Sequence, residues 1–234
     1  MTESLSDRRC GRLMEGPHDR ESTVVPLAIA DHAAQAMSAP AFRRFQEQRP
    51  DRERWELVAG CPIMMAPASL AHNRIASNLE RLLNDALESH DPARLACQRP
   101  GIELGADDAY RPEPDVAVIG SDYEPGQRFV ERAYLLAEIV SGTDEAVIPG
   151  PNRRWIDIKR DLYLTHPSCE AVLIIEQERP QIRLSIRTAS GWRSDTLIGF
   201  ETRLLLTAFG LECPLAALYE GTPLKPRGGD HPAR

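Results

Sequence analysis

Two short apolar runs, each interrupted by one acidic residue, constrain the fold of this chain most strongly. They are YRPEPDVAVIG, residues 110–120, which contains Asp115, and YLLAEIVSG, residues 134–142, which contains Glu138. Short runs rich in Val, Ile and Leu and bounded by Gly or Pro predict strands of a buried sheet. An ionised carboxylate in such a strand costs several kcal/mol unless it is paired or binds a metal. The two acids are therefore candidate metal ligands, and partly exposed residues at strand ends are the alternative interpretation.

The other segments alternate between helical and strand patterns. Apolar residues recur with helical spacing in some segments, and polar turns separate runs of strand character in others. The predicted elements are a short helix from Ser38, a hairpin turning at Ala59-Gly60, a long helix capped by Ser69, strands near 94–104, 114–119 and 134–140, a helix beginning around Asn152, and a meander formed by EAVLIIEQ, QIRLSIRT and WRSDTLIGF. This order favours one mixed α/β (α+β) domain in which helices flank a central mixed sheet.

Polar ends flank the predicted domain. Residues 1–37 predict a flexible leader, residues 38–222 the folded domain, and residues 223–234 a flexible tail. No apolar run approaches the length of about 18 residues that a membrane helix needs. The arginines near the N-terminus precede no apolar stretch of a secretory signal. We therefore expect a cytoplasmic protein.

The cysteine spacing and the net charge limit the classes of function that this chain can have. Five widely spaced cysteines without a Cys-x-x-Cys pair indicate free thiols rather than a zinc knuckle or a disulfide framework. The formal net charge of -7 at pH 7 argues against a broad surface that coats nucleic acid, although it is compatible with a local basic groove.

One lysine stands out among the basic residues. Of the 28 basic side chains, only Lys159 and Lys225 are lysines. Lys159 follows Trp155 by four residues and precedes Leu162 by three, so it lies on or beside the inward face of the predicted helix. Lysine is rarely buried unless it is paired. Either its compact ammonium serves chemistry inside the protein, or the side chain extends past Trp155 to solvent.

Asp115, Glu138 and Lys159 together suit metal-dependent hydrolysis of a phosphodiester. Carboxylates are ligands for Mg²⁺, which uses one or two of them and keeps several waters. Two further candidates are Glu56, an acid flanked by apolar residues in RWELV, and His72, in the first turn of the long helix on its inward side. A helix N-terminus with a histidine suits contact with a phosphate. Pairing with an arginine such as Arg54 or Arg74 is the alternative for Glu56.

Five segments in order resemble the Uma-type restriction endonuclease family, which belongs to the PD-(D/E)XK nuclease superfamily. The segments are WELVAGCPIMMAPASLAHNRIASNL, YRPEPDVAVIG, LLAEIVSG, KRDLY and CEAVLIIEQ. The resemblance covers roughly residues 40–220. It implies the restriction-endonuclease-like fold, a central mixed sheet between helices with catalytic acids on neighbouring strands.

The resemblance also implies roles for individual residues. Pro114-Asp115 resembles the PD element and Glu138 the (D/E) element, while the usual lysine position two residues later is Val140. In this family the lysine resembles one moved onto the following helix, which corresponds to Lys159. Glu56 matches an acid of the family's Tyr-Glu-Leu segment, and His72 matches its histidine.

The sequence also departs from the family pattern. The first hairpin tends to carry two acids at the positions of Ala59 and Cys61, and the segment after Glu138 tends to read Ser-Pro-Ser-Thr where this chain has Ser141-Gly142-Thr143-Asp144. These changes put a secondary metal or substrate contact near Cys61 in doubt.

The leading hypothesis is a Mg²⁺- or Mn²⁺-dependent endonuclease that acts on DNA as a homodimer. The metal ligands are predicted to be Asp115, Glu138 and Glu56. Lys159 is expected to position water or phosphate, and His72 to contact phosphate. One alternative is a catalytically inactive nuclease-fold protein that binds a protein or a nucleic acid. The other is a metal-dependent hydrolase of a small phosphoester.

Overall fold

A six-stranded mixed sheet forms the centre of the protein. The structure, a computed structural model, describes residues 36–50, 52–104, 109–148 and 152–227. Most of the predicted leader and the last residues of the predicted tail lie outside these ranges, so the predicted domain limits stay a prediction. Helices cover both faces of the sheet, and the predicted α+β architecture with a mixed central sheet is confirmed.

Three α-helices and fourteen strands are present in the described part of the chain. In chain order they are α1 (Ala39–Glu47), β1 (Trp55–Val58), β2 (Cys61–Met64), α2 (Leu70–His90), β3 (Arg94–Cys97), β4 (Gly101–Ile102), β5 (Val116–Gly120), β6 (Phe129–Val130), β7 (Ala133–Val140), β8 (Val147–Ile148), β9 (Arg153–Arg154), α3 (Trp155–Thr165), β10 (Ala171–Glu176), β11 (Gln181–Thr188), β12 (Gly191–Ile198), β13 (Arg203–Leu206) and β14 (Leu211–Pro214). None of these helices is long and apolar enough to cross a membrane.

The central sheet has the strand order β12-β11-β10-β7-β5-β3. β7 and β10 run parallel, whereas the other neighbours are antiparallel. The two strands that follow or contain the predicted acids, β5 and β7, are adjacent, with Val116 opposite Ala137. The prediction that these two strands neighbour each other in one sheet is therefore confirmed.

Each face of the sheet packs against one long helix. Ser69 caps α2, as predicted, because its Oγ accepts a hydrogen bond of 3.0 Å from the backbone N–H of His72. The apolar stripe of α2, which includes Leu79 and Leu83, packs against one face. The opposite face packs against α3 and buries Ile156 and Tyr163. The remaining two-stranded sheets lie around this core.

Two predicted boundaries differ from the structure. The expected strand near 94–104 divides into β3, in the central sheet, and β4, which pairs with β6 instead. The chain turns between them at Arg99, whose φ is 58°. The helix expected from around Asn152 begins at Trp155, because Arg153 and Arg154 first pair with β8. The hairpin turn at Ala59-Gly60 is confirmed, with positive φ at both residues.

Candidate active site

Asp115 and Glu138 lie at the same end of two neighbouring strands. Val116 is opposite Ala137 in the ladder, so the next pair outward is Asp115 and Glu138. Asp115 comes immediately before β5, and its Oδ2 accepts a hydrogen bond of 2.9 Å from the backbone N–H of Ile139. The carboxylate of Asp115 thus accepts a hydrogen bond from the backbone of β7 just beyond the end of β5. Both acids are buried, which excludes the alternative that they are partly exposed.

Lys159 brings its ammonium into this buried site. Nζ lies 3.2 Å from Oε2 of Glu138, 3.1 Å from Oε1 of Glu56 and 3.1 Å from Oδ1 of Asp144. The side chain is only 2% exposed, so the alternative in which it extends past Trp155 to solvent is wrong. Three carboxylates from three different segments surround one cation, which is the paired state that a buried lysine requires.

Glu56 is held from several directions. Its Oε1 also accepts the backbone N–H of Glu113 at 2.9 Å, and its Oε2 accepts the indole Nε1–H of Trp155 at 2.7 Å. Its ion pair is with Lys159, not with an arginine, and Arg54 lies instead 3.8 Å from Glu113. Because both oxygens of Glu56 already accept hydrogen bonds, its clearest structural contribution is to hold Lys159. A direct contact of Glu56 with a metal ion stays a prediction.

His72 contacts an acid of the site. The cap at Ser69 starts α2 so that His72 points inward from the first turn, and its Nε2 lies 3.0 Å from Oδ2 of Asp115. Its Nδ1 is buried and has no hydrogen-bond partner in the described part of the protein. His72 is thus placed to orient the carboxylate of Asp115. The predicted contact between His72 and a phosphate stays a prediction.

Sequence reasoning missed three polar contacts at this site. Asp144 stands out in the sequence only as a departure from the family pattern, and neither Trp155 nor Tyr163 is among the candidate site residues. Both rings are buried, but their polar atoms bind the acids: the Tyr163 hydroxyl donates to Oε1 of Glu138 at 2.5 Å. A signal existed, because Trp155, Lys159 and Tyr163 are spaced by four residues and therefore share one face of α3.

Asp144 reaches the site through the start of α3. Its backbone carbonyl accepts the N–H of Ile156 at 2.9 Å, which ties the loop after β7 to the first turn of the helix. Ser141 donates its backbone N–H and its hydroxyl to Oδ2 of Asp144, which leaves Oδ1 directed at Lys159. No local sequence pattern predicts the contact between Asp144 and Lys159, because it depends on how the loop after β7 folds back onto α3.

Burial, hydrogen bonds and neighbouring charges shift the pKa values of the groups at this site, and the direction differs from group to group. Burial, with repulsion from Asp115 and Asp144, raises the pKa of Glu138 well above its usual range despite the opposing charge of Lys159. Burial alone would also raise the pKa of Asp115, but the hydrogen bond and charge of His72 lower it. Burial opposes the charge of Lys159, but the surrounding carboxylates raise its pKa well above the usual value. Of Asp115 and Glu138, Asp115 is therefore the acid that stays ionised more readily.

The donor set suits a hard cation. Four buried carboxyl groups (Glu56, Asp115, Glu138 and Asp144) lie at this site, and three of them contact the single ammonium of Lys159, so the cluster is rich in oxygen ligands. In the described part of the chain, no three His, Cys, Asp or Glu side chains already converge as a metal cage. Mg²⁺ does not require such a cage, because it is typically held by one or two carboxylates and several waters. Asp115 and Glu138 fit that requirement. The four described cysteines are free, as predicted.

Comparisons with known proteins relate this chain to a solved structure and to a protein family. A crystal structure described as "a putative nuclease belonging to DUF820", from Anabaena variabilis ATCC 29413, is similar with a TM-score of 0.58 and 13% sequence identity. The similarity covers 78% of this chain and 97% of that chain, and at this identity it shows the fold. No curated protein matches the chain. A family model described as "Putative restriction endonuclease" matches residues 39–216, most of the sequence, and the chain therefore belongs to the Uma2 family.

Proposed function

We propose that this protein is a Mg²⁺- or Mn²⁺-dependent endonuclease that hydrolyses phosphodiester bonds in DNA. The observation that carries the proposal is the buried cluster in which Glu138, beside Asp115, meets the ammonium of Lys159 at 3.2 Å. Family membership supports the same chemistry. A structural core has no need of four buried carboxylates, because well-packed apolar residues are commonly at least as stable as a buried ion cluster.

The two strand acids take the metal in this proposal. Asp115 and Glu138 provide carboxylate oxygens from adjacent strands, and when bound the metal ion polarises the phosphate and lowers the pKa of a coordinated water. His72 and the backbone N–H of Ile139 both bind Oδ2 of Asp115. These contacts hold the carboxylate in one orientation, as the partners of metal ligands commonly do.

Lys159 provides the positive charge. Glu56 and Asp144 hold its ammonium next to Glu138, and Trp155 packs beneath it with the ring centroid 5.4 Å from Nζ. In this position the ammonium orients a water or offsets the negative charge that develops on the phosphate in the transition state. The placement is rigid, since the carboxylates come from separate elements of the fold.

Cleavage of both strands of a duplex calls for two such sites. A homodimer with two-fold symmetry provides them in equivalent positions, because an isologous pair presents the same site twice about its axis. We therefore propose that the active form is a homodimer.

A catalytically inactive binding module is the second candidate. The observation that favours it is that both oxygens of Glu138 already have partners, Tyr163 at 2.5 Å and Lys159 at 3.2 Å. The first hairpin, moreover, has Ala59 and Cys61 where the family tends to have acids. In such a protein the cluster would keep its internal ion pairs, and added metal would change nothing.

A nicking assay with matched variants distinguishes the candidates. Supercoiled plasmid is incubated with Mg²⁺ or Mn²⁺ and with wild type, Asp115→Asn or the control Asp122→Asn, whose carboxylate pairs with Arg132 at the surface. We expect wild type and the control to nick DNA and Asp115→Asn to lose activity by about 100-fold or more, roughly the loss caused by removing one strong electrostatic contact.

Metal-dependent melting provides a second readout. Millimolar metal should raise the melting temperature of wild type and Asp122→Asn, but not that of Asp115→Asn, because a ligand that binds only the native state stabilises it. Absence of both nicking and a melting shift would contradict the nuclease and favour the binding module. Cleavage of RNA alone, or of a small phosphodiester alone, would correct the substrate and keep the site.

A further inference from the structure

The outermost strand of the central sheet, β12, presents a long edge. Its eight residues pair with β11 along their whole length. Within the described ranges of the chain, no strand pairs with its other edge. Its four central residues, Arg193 to Thr196, are exposed. An exposed edge of this length is a template for pairing with another strand, and proteins normally cover it or block it.

The charges on this edge are arranged so that they complement themselves. Successive side chains of a strand point to opposite faces, so Arg193 and Asp195 share one face and Ser194 points to the other. Arg193 and Asp195 are 66% and 55% exposed, and they contact each other at 3.2 Å. Ser194 lies on the α3 face, where it accepts a hydrogen bond from Arg160. This edge therefore carries both signs of charge on one face.

We propose that β12 is the dimer surface, on which a second copy of the chain pairs antiparallel through a two-fold axis at Ser194. In this register Ser194 faces its own equivalent. Arg193 of each copy then faces Asp195 of the other, so two ion pairs form across the axis. Opposite charges directly across an antiparallel pair stabilise it, whereas like charges destabilise it.

Neighbouring registers fail for physical reasons. A shift of the pairing by one residue places side chains that belong to opposite faces across from each other, because the side-chain period of a strand is two. A shift by two residues centres the axis on Arg193 or on Asp195 and puts two identical charges in contact. Among the registers near the middle of β12, the one centred on Ser194 is therefore the one in which facing side chains lie on the same side of the sheet and opposite charges meet.

This pairing joins the two six-stranded sheets into one continuous sheet. The two-fold axis of an antiparallel strand pair is perpendicular to the sheet, so both copies of α3, and with them both Lys159 clusters, lie on the same face. β7 and its equivalent would be seven strand spacings apart, about 34 Å at roughly 4.8 Å per spacing. The surface would supply the homodimer of the proposed function, although the pairing itself does not depend on cleavage.

Apolar side chains near β12 add to this surface. Ile198 at the end of the strand is 65% exposed, and Leu205 on β13 is 51% exposed. Leu197 and Leu205 line a groove of about 610 Å³ beside the strand. One strand pair with these neighbours forms a small interface, so we expect a dissociation constant on the order of micromolar rather than nanomolar.

Complementary charge reversals test the register directly. Sedimentation velocity measures the mass of the full chain, 26.1 kDa as a monomer, over a concentration series. We expect wild type to dimerise and Arg193→Asp and Asp195→Arg to weaken self-association at least 10-fold, because each variant places like charges across the axis. An equimolar mixture of the two variants should dimerise again, since each charge then meets its opposite. The double reversal Arg193→Asp/Asp195→Arg should also dimerise.

A matched control separates register from net charge. Arg81→Asp reverses an arginine of the Arg81–Asp85 pair on α2, whose exposures of 55% and 66% mirror those at β12. This control should dimerise like wild type. A wild type that stays monomeric up to about 100 µM, whether the edge is bare or covered by another part of the same chain, would overturn the proposal. So would a dimer that tolerates both single reversals. A wild type that stays monomeric and still nicks plasmid would overturn this interface, because the chain does not pair, and would leave the proposed nuclease intact.

Discussion

Both faces of the central sheet bury an apolar cluster, but only the face covered by α3 also carries a cluster of paired charges. On the face covered by α2, Leu79 and Leu83 pack against Val118 and Leu135 in a continuous apolar cluster. On the face covered by α3, an apolar cluster that includes Ala117 and Leu136 lies beside Glu138 and the charges around Lys159. Both faces therefore gain free energy by removing apolar area from water. The α3 face must in addition offset the desolvation of several charges.

This difference shows where the fold carries a cost that apolar packing has to offset. Desolvation of a buried ion costs several kcal/mol, and a good partner recovers that cost only with suitable geometry. The cluster meets this condition with short contacts, and yet the carboxylates outnumber the ammonium. We infer that apolar packing on both faces offsets the cost of keeping these charges buried.

Removal of the central cation should give the largest effect. Lys159→Ala leaves Glu56, Glu138 and Asp144 buried without their shared counter-charge. We expect a loss of about 3–5 kcal/mol in the free energy of unfolding, measured with urea, as for other buried pairs that lose one partner. Lys225→Ala, the control at the other lysine, should cost less than about 0.5 kcal/mol. A small loss in Lys159→Ala would show that the cluster is not held by charge.

A cavity on the apolar face should give the next largest effect. Leu83→Ala on α2 removes a fully buried side chain and should cost about 3 kcal/mol, within the usual range of about 2–5 kcal/mol. Because the cavity is lined by apolar groups, this cost should be the same at pH 5 and pH 8. A cost that changes strongly between these pH values would mean that the two faces are not energetically separate.

Stability on the charged side should instead depend on pH through Glu113. Burial, with repulsion from Glu56, raises the pKa of Glu113 from 4.5 to about 7. A raised pKa in the folded state means that the native protein binds the proton more tightly, so stability is fully present below pH 4.5 and falls as the pH rises through 7. Relative to Glu113→Gln, wild type should lose about 3 kcal/mol between pH 4.5 and 7.5. Equal pH profiles of the two proteins, measured by urea unfolding, would contradict this pKa.

Removal of one hydroxyl should give the smallest effect. Tyr163→Phe keeps the packed ring and deletes the donor to Glu138, so we expect a loss of about 1–3 kcal/mol, typical of a buried acceptor left without a partner. Tyr123→Phe at an exposed site is the control and should be neutral. Thermal melting of the two variants decides the comparison. An equal response would place the stabilising role of Tyr163 in its ring alone.

Local sequence patterns predicted most of the elements correctly. The hairpin at Ala59-Gly60, the capped helix after Ser69 and the three-stranded meander all appear as expected. Each depends on interactions between residues close in sequence: a turn at positive φ, a side-chain cap, and alternation in strands joined by short turns. The start of α3 was misplaced because the pairing of β8 with β9, a contact between separate segments, takes the residues before Trp155 out of the helix.

The sequence by itself determined which groups had to be explained: two acids in apolar runs of strand character and one lysine on an inward helical face. It could do so because burial of an unpaired charge is costly. A charged residue within an apolar segment therefore indicates a partner or a ligand. Only the tertiary structure decided their partners. Asp144, Glu113 and the polar atoms of Trp155 and Tyr163 join the site because a loop, two strands and a helix meet there. Contacts between distant segments leave no periodic signal in the chain, since periodicity reports which face a residue occupies and not what lies opposite that face.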